Sequence, residues 1–173
     1  ALLNQHAPVS IFLPETAMLY HPTLPLTTRI EVPYMGRHLC GKSRPGHFRG
    51  VAMVITRLLN IIGPCHMYLG EKDYQQLVLI KRLVQDLWLD VTVTGCPIIR
   101  EPNGLAMSSR NGYLTAEQKQ QASSMYQVLQ QVAQGLQQKP DFAYWQQWAK
   151  QSLVEQGWQL DYIEICQQHS LQA

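Results

Sequence analysis

Two short polar clusters in this chain combine residue types that can hold phosphate. The first, residues 70–73 (Gly-Glu-Lys-Asp), lies between an apolar run and the start of a helical pattern. Backbone N–H groups at a helix N-terminus point toward an anion, and the helix dipole favours its negative charge. The second, residues 107–110 (Met-Ser-Ser-Arg), offers two hydroxyls and a guanidinium that can hold two phosphate oxygens at once. The residue types therefore predict nucleotide chemistry.

Each cluster also has an ordinary structural explanation. Asp73 and Gln76 could form a capping box, which would make residues 70–73 a simple turn before a helix. Residues 107–110 follow the turn dipeptide Asn103-Gly104 and could be a surface loop with a polar tip. The residues alone leave both alternatives open.

A third cluster, residues 42–49, places basic groups and His47 at the start of another helix. It could bind an anionic substrate or a nucleic acid, or it could be a solvated face. Few aromatic residues are interleaved with the basic ones, which argues against a platform for stacking single-stranded bases. His47 is the member with a plausible chemical role. A structural histidine whose hydrogen bonds are satisfied at the start of the helix fits equally well.

The elements that must position these clusters begin with short strands and a helix. Hydrophobic patterns predict strands at residues 9–14 and 29–32, the second at the edge of a sheet. A helix is predicted from Gly46 onward, and Gly63-Pro64 ends it. Its predicted inward stripe is Phe48, Val51, Ile55, Leu58 and Ile62.

A strand–helix–strand unit follows. Residues 65–69 and 91–94 have strand-like patterns, and residues 73–88 between them have a helical one. This spacing predicts a parallel sheet with a right-handed crossover, and ligands on such sheets bind beyond the carboxyl ends of the strands. Residues 70–73 lie at such an end. The predicted inward residues of the helix are Leu77, Ile80, Val84 and Leu87.

The last third of the chain predicts two helices and a strand. Thr115 and Gln118 predict a capping box that opens a helix through about Leu136. Residues 139–141 predict a turn and a second helix start, and residues 162–165 are strand-like. The predicted inward residues of the two helices are Ala122, Met125, Leu129, Val132, Phe142, Trp145, Trp148 and Ala149.

The composition is typical of a globular protein in a reducing compartment. Of the 173 residues, 46% are hydrophobic and 15% are charged, so the chain can bury a core as one domain or as one domain and part of another. A net charge of +2 and the lack of an apolar run of about 20 residues argue against nucleic-acid and membrane partners. Four cysteines without a C-x-x-C pair argue against zinc and a disulfide framework. We expect no metal site and a cytoplasmic location.

Three longer segments resemble one enzyme family. Residues 44–51 (RPGHFRGV), 69–77 (LGEKDYQQL) and 104–114 (GLAMSSRNGYL) resemble, in order and separation, segments of the pantothenate synthetase (pantoate–β-alanine ligase) family. The resemblance implies an α/β fold. Residues 1–98 would be the later part of a parallel-sheet, Rossmann-like nucleotidyltransferase domain, and residues 99–173 a small, truncated α+β C-terminal domain.

The resemblance also implies a two-step reaction. In this family the pantoate carboxylate attacks the α-phosphate of ATP, giving pantoyl adenylate and pyrophosphate, and the amine of β-alanine then displaces AMP. Such chemistry needs positioning and charge neutralisation from the protein. The implied partners are ATP with Mg, pantoate and β-alanine, and the full-length enzyme would be a homodimer.

Site roles carry over from the matching positions. Gln76 would bind pantoate, the backbone of Ile99 would contact adenine, and Lys72 would lie on the phosphates. The implied catalytic residues are Lys72, Ser108, Ser109 and Arg110. The implied ATP-binding residues are Gly70, Glu71, Lys72, Asp73, Ile99, Met107, Ser108, Ser109 and Arg110.

The sequence also departs from the family pattern. The family has an H-x-G-H motif whose histidines stabilise the transferring phosphate, and no such motif occurs here. The family's early substrate-binding glutamine and the last strands of its C-terminal domain are not matched, and Cys40 stands where a glutamate is expected. We therefore expect a partial chain that does not catalyse the reaction alone. The alternative is a non-enzymatic remnant or accessory module with weak nucleotide binding.

Overall fold

The computed structural model describes residues 5, 8–23, 25 and 27–172. Short 3₁₀ turns at Glu71–Asp73 and Ser109–Tyr113 precede the helices that begin at Tyr74 and Ala116. Within these described stretches, no helix is both long enough and apolar enough to cross a membrane. In chain order the helices and strands are α1 (Thr16–Leu19), α2 (Cys40–Ser43), α3 (His47–Ile62), β1 (Cys65–Gly70), α4 (Tyr74–Asp86), β2 (Val91–Cys96), α5 (Ala116–Gln138) and α6 (Phe142–Glu155).

The predicted strand–helix–strand unit is confirmed. Strands β1 and β2 pair in parallel, with Cys65 opposite Val91 and Gly70 opposite Cys96. Alternate residues of both strands are half-buried and exposed, because helix α4 covers one face of the sheet. The parallel register brings the carboxyl ends of both strands to the same edge.

The first core cluster lies between the sheet, α4 and α3. Leu79 and Ile80 of α4 are fully buried, and Phe48 and Leu59 of α3 join the same cluster. Burying an aliphatic side chain of this size contributes about 1.5–3 kcal/mol. Leu171, near the far end of the chain, is also part of this cluster.

Helix α3 has the predicted bounds but a buried face rotated by about one position. Gly46 and Gly63 flank it with φ values of 81°, a conformation that favours glycine. Thr56 is buried, and its hydroxyl is satisfied there because it donates to the Ala52 carbonyl at 2.8 Å. The predicted Ile62 is exposed. The buried residues are Phe48, Ala52, Met53, Thr56 and Leu59.

Helices α5 and α6 pack as a pair around the second core cluster. The predicted capping box of Thr115 and Gln118 is confirmed, and Asp141 accepts the Tyr144 N–H to cap α6. The predicted inward residues Met125 and Leu129 are exposed instead. The buried residues of the cluster that the two helices share are Val128, Val132, Ala149 and Leu153. Gly135 of α5 lies against the Trp145 indole of α6. Ser123 of α5 is also buried.

Three predicted strands are wrong. Residues 9–14, 29–32 and 162–165 have extended or irregular backbone without strand pairing. Within the part of the chain that the structure describes, β1 and β2 are the paired strands, so an extended segment elsewhere has no neighbour to bond. Side chains of residues 9–14 such as Leu13 are accordingly exposed. Leu87 is exposed because α4 ends at Asp86.

Candidate functional site

The first polar cluster lies at the carboxyl edge of the sheet. Gly70 ends β1 in an extended conformation, and a 3₁₀ turn then leads into α4. Apart from Gly70 and its two chain neighbours, no atom lies within 4 Å of the place where a Cβ on Gly70 would stand, so the fold itself does not require glycine there. Because Cys96 is the register partner of Gly70, the residues that follow both strands emerge at this edge. This is where parallel sheets bind ligands.

A cleft of about 380 Å³ opens between the starts of α3 and α4. We call it the α3–α4 cleft. Its charged residues have both signs. Its polar and charged lining includes Arg44, His47, Lys72, Asp73, Gln76, Tyr162, Glu164 and Cys166.

The capping-box alternative for residues 70–73 is wrong. The Asp73 side chain makes no capping hydrogen bond at the start of α4. Among the described residues, neither Lys72 nor Asp73 has a side-chain hydrogen bond or ion pair, and both are exposed. Their charges are therefore available to a bound molecule.

His47 lies at the first position of α3 and lines the same cleft. Burial lowers its pKa from the ordinary value of 6.5, the positive charge of Arg44 lowers it further, and the negative charge of Asp73 opposes both. The lowered pKa favours the neutral form of the imidazole. A neutral ring can accept a proton or a hydrogen bond from a ligand in the cleft.

Gln75 has a structural role that the sequence analysis missed. It is 8% exposed, and its amide nitrogen donates to the carbonyls of Met35 at 2.6 Å and His38 at 2.8 Å. Its amide oxygen accepts the Cys40 N–H at 3.0 Å. The side chain therefore fastens the loop before α2 to the first turn of α4. Its spacing from Leu79 and Leu83 places it on the buried face of α4, and this spacing could have revealed its burial from the sequence.

Glu71 is separated from its neighbour Lys72. Its side chain packs against the backbone of Gly95, where a Cβ would lie 3.0 Å from the Glu71 Oε1. Glu71 lines a different surface depression, with Lys81 and Arg82, and not the α3–α4 cleft. The Glu71 side chain thus lies between the 3₁₀ turn and β2.

The second polar cluster returns to the sheet edge through a tight loop. Ile99 lies three residues beyond β2, and its carbonyl accepts the Met107 N–H at 2.9 Å. Arg100 and Ala106 form an antiparallel bridge inside this loop. The Arg100 guanidinium donates to the carbonyl of Gly104 and lies 3.5 Å above the Tyr126 ring of α5, which anchors the loop.

Asn111 holds the polar end of this loop. Its amide nitrogen donates to the Glu101 carboxylate at 2.7 Å and to the Ala106 carbonyl at 3.1 Å. The Ser108 hydroxyl accepts the Arg110 N–H at 3.2 Å. Ser109 and Arg110 are exposed, and among the described residues their side chains have no hydrogen-bond partner. Their donors therefore face solvent.

The structure brings some of the predicted residues together and leaves others apart. Lys72, Asp73 and Gln76 share the α3–α4 cleft, and Ile99 and Met107 are joined by a hydrogen bond. Arg110 does not line the α3–α4 cleft, which holds Lys72 and Asp73. In the part of the chain that the structure describes, no group of three His, Cys, Asp or Glu side chains could hold a metal ion.

Comparisons with known proteins agree with one another. A family model described as pantoate-beta-alanine ligase matches residues 1–173. The pantothenate synthetase of Methylococcus capsulatus is 44% identical over 172 residues, which are 99% of this chain and 60% of that protein.

Solved structures extend the similarity to the fold. The pantothenate synthetase of Thermus thermophilus superposes with a TM-score of 0.88 at 36% identity, covering 98% of this chain and 62% of that one. The pantoate-beta-alanine ligase of Francisella tularensis, solved in complex with β,γ-ATP and β-alanine, has a TM-score of 0.67 at 38% identity. It covers 81% of this chain and 51% of that one.

The parallel sheet and helices of this chain thus correspond to a nucleotidyltransferase fold of the Rossmann type. The chain spans about 60% of the length of the Methylococcus relative. The chain belongs to the pantoate-beta-alanine ligase family.

Proposed function

We propose that this chain carries part of the site for the ATP-dependent condensation of pantoate with β-alanine. The observation that carries the proposal is the start of α4, where Lys72 and Gln76 line one cleft beyond the carboxyl end of β1. Family membership supplies the substrates, and the Francisella relative was solved with β,γ-ATP and β-alanine. We assign ATP-binding roles to the residues named from the resemblance.

In the first step, a carboxylate oxygen of pantoate forms a bond to the α-phosphorus of ATP. The bond from that phosphorus to the bridging oxygen breaks, and pyrophosphate leaves with the electron pair. Lys72 and the N–H groups of the 3₁₀ turn neutralise charge on the phosphates, since both lie at the positive end of α4. Gln76, one turn into α4, would orient pantoate in the cleft. Mg²⁺ would arrive with ATP as part of the substrate.

In the second step, the neutral amine of β-alanine attacks the carbonyl carbon of pantoyl adenylate. The bond from that carbon to the phosphate oxygen breaks, AMP leaves, and the nitrogen loses a proton. Correct placement of the amine and the acyl carbon supplies most of the acceleration in such a transfer.

The loop at residues 107–110 would close on the triphosphate. Ser109 and Arg110 are exposed and have unused donors, and Ile99 and Met107 tie the loop to the strand edge. Arginine binds two phosphate oxygens in one plane, which suits a pyrophosphate leaving group. Closure of this loop would bring the two clusters to the same ligand.

The proposal extends to the setting of the whole protein. We assign residues 1–98 to the nucleotide-binding domain and residues 99–173 to the C-terminal domain, and the full-length enzyme to a homodimer. All four cysteines are unpaired, which supports a reducing, cytoplasmic compartment.

A stable mimic of pantoyl adenylate, with a sulfamate in place of the phosphate, tests the substrate class by titration calorimetry. We expect it to bind at least about 100-fold more tightly than ATP, as reaction-intermediate analogues do. The matched control ligand is adenosine sulfamate without the pantoyl group. Equal affinity for the two ligands would contradict a pantoate site and favour the alternative of a simple nucleotide-binding module. The Gln76→Ala variant should lose the advantage of the pantoyl group.

A further inference from the structure

The segment after α6 lines the α3–α4 cleft together with Lys72 and Gln76. We call residues 162–171 the C-terminal strap. Tyr162 and Cys166 of the strap line the cleft. The strap ends at Leu171, which is 8% exposed and packs in the first core cluster. One end of the strap is therefore held by apolar burial.

The other end is held by a hydrogen bond. The Tyr162 hydroxyl and the Cys40 thiol lie 2.7 Å apart, 122 positions from each other in the sequence. Burial and this hydrogen bond raise the pKa of Tyr162, so its hydroxyl stays protonated at neutral pH and can donate.

Cys40, the partner of Tyr162, is itself held in place by a backbone hydrogen bond. The Cys40 N–H donates to the buried Gln75 amide at 3.0 Å, and Gln75 belongs to the first turn of α4. A continuous path of hydrogen bonds thus runs from the helix that carries Gln76, through Cys40, to the strap. Moving the strap at Tyr162 would change the width of the cleft.

We propose that Tyr162 and Cys40 form a latch that holds the C-terminal strap closed over the α3–α4 cleft. Tyr162 is then a positioning residue for whatever ligand occupies the cleft. The latch itself is independent of the proposed function, whereas its effect on ligand affinity rests on that function.

Thiol labelling tests the latch without any ligand. Each cysteine of the folded chain is labelled with a brief pulse of iodoacetamide and quantified by peptide mass spectrometry. Cys166 lines the cleft, and its pKa is raised by burial and by Glu164, so it reacts slowly while the strap is closed. Cys65 and Cys96 belong to the strands and serve as internal controls.

In Tyr162→Phe, we expect labelling of Cys40 and Cys166 to rise at least about threefold, with Cys65 and Cys96 unchanged. Tyr144→Phe removes the hydroxyl of another exposed tyrosine and should leave all four rates as in the unmodified chain. A rise at Cys40 alone would overturn the proposal, because the hydrogen bond would then not hold the strap. Unchanged rates, or a uniform rise at all four thiols, would overturn it as well.

A second pair of variants separates the hydrogen bond from the bulk of the thiol. Cys40→Ser keeps a hydroxyl that can bond to Tyr162, so Cys166 labelling should stay close to that of the unmodified chain. Cys40→Ala removes the partner, and Cys166 labelling should rise as it does in Tyr162→Phe. Equal Cys166 labelling in the serine and alanine variants would contradict the latch.

Calorimetry with the sulfamate mimic of pantoyl adenylate measures the effect on the ligand. We expect Tyr162→Phe to bind it about three- to tenfold more weakly with an unchanged melting temperature, because the closed cleft is less populated. Unchanged affinity beside increased Cys166 labelling would overturn the positioning role. If the unmodified chain does not bind the mimic, the proposed function fails, and the labelling result still decides the latch.

Discussion

The Met107 N–H donates to the Ile99 carbonyl at 2.9 Å, which joins the start of the second polar cluster to the chain just beyond β2. Residues 70–73 follow the neighbouring strand β1 at the same edge. Two clusters that are more than thirty positions apart in the sequence are thus attached to adjacent strand ends.

Asn111 controls the order of that loop. Replacing it with alanine removes the hydrogen bonds to Glu101 and Ala106, each worth about 0.5–1.5 kcal/mol or somewhat more for the charged partner. We expect the backbone amides at positions 110 and 111 to exchange hydrogen at least about threefold faster, since this turn would open more often. Hydrogen exchange followed by mass spectrometry measures this. Asn60→Ala, at an exposed site on α3, is the control and should change nothing in the loop.

Gln75 and Gln76 are adjacent but should respond to substitution in opposite ways. Gln75→Leu leaves the carbonyls of Met35 and His38 and the N–H of Cys40 without their partner. Unsatisfied buried groups cost about 1–3 kcal/mol each, so we expect a loss of at least about 2 kcal/mol in the free energy of unfolding. Urea denaturation measures it.

Gln76→Ala provides the matched comparison. Among the described residues the Gln76 side chain has no hydrogen bond, so its removal should change the unfolding free energy by less than about 0.5 kcal/mol. Its affinity for the pantoyl adenylate mimic should fall. Comparable destabilisation by the two substitutions would show that our distinction between a structural and a ligand-binding glutamine is wrong.

The lowered pKa of His47 should make the free energy of unfolding depend on pH. Its pKa is lower in the folded chain than the ordinary 6.5, so the unfolded chain binds the proton more readily. The contribution of His47 to stability is therefore present above about pH 6.5 and decreases as the pH falls from there through the folded pKa. His47→Gln should remove this part of the pH dependence of unfolding.

The pKa of His47 should also respond to its two charged neighbours in opposite directions. Asp73→Asn removes a negative charge and should lower the pKa further, whereas Arg44→Gln should raise it. Proton NMR of the imidazole during a pH titration measures both shifts. Lys81→Gln changes a charge that does not line this cleft and is the control. Shifts of the same sign in both neighbour variants would refute the assigned geometry.

Gly135 should not tolerate a side chain. A methyl group there would overlap the indole of Trp145, which packs across the α5–α6 contact. Overpacking costs about 1–3 kcal/mol, and the gain in helix propensity from glycine to alanine is about 1 kcal/mol. We expect Gly135→Ala to lower the free energy of unfolding by about 1–2 kcal/mol after the gain in helix propensity is subtracted. Thermal denaturation measures this.

Gly50 is the matched control for that substitution. It also lies inside a helix, but apart from its chain neighbours and the backbone of its own helix no atom lies within 4 Å of the place where its Cβ would stand. Gly50→Ala should therefore stabilise the chain by roughly 0.5–1 kcal/mol. A stabilised Gly135→Ala variant would mean that the Trp145 indole does not pack against Gly135.

Local patterns were sufficient to predict the parts of the fold whose signals are local. The parallel β1–α4–β2 unit, the Thr115 capping box and the end of α3 at Gly63 all follow from residues close together in the sequence. Strands were wrongly predicted at residues 9–14 and 162–165, because a strand also needs a neighbour that the local pattern cannot specify.

The site shows the same division. The place of Lys72 at a strand end follows from the order of strand, turn and helix. The contact of Cys40 with Tyr162 spans 122 positions and has no local signal. Helical periodicity places Gln75 on the buried face of α4. Its structural role becomes clear only once its carbonyl partners in the preceding loop are known.

Binding of ATP to the Lys72→Ala variant tests the central claim most directly, with Lys81→Ala as the control on an exposed site of the neighbouring helix α4. We predict that ATP with Mg²⁺ raises the melting temperature of the unmodified chain and of Lys81→Ala. In Lys72→Ala the affinity should fall about tenfold or more, since a hydrogen bond to a charged group contributes about 1.5–3 kcal/mol. An equal rise in melting temperature for Lys72→Ala and the unmodified chain would contradict a phosphate site at the start of α4.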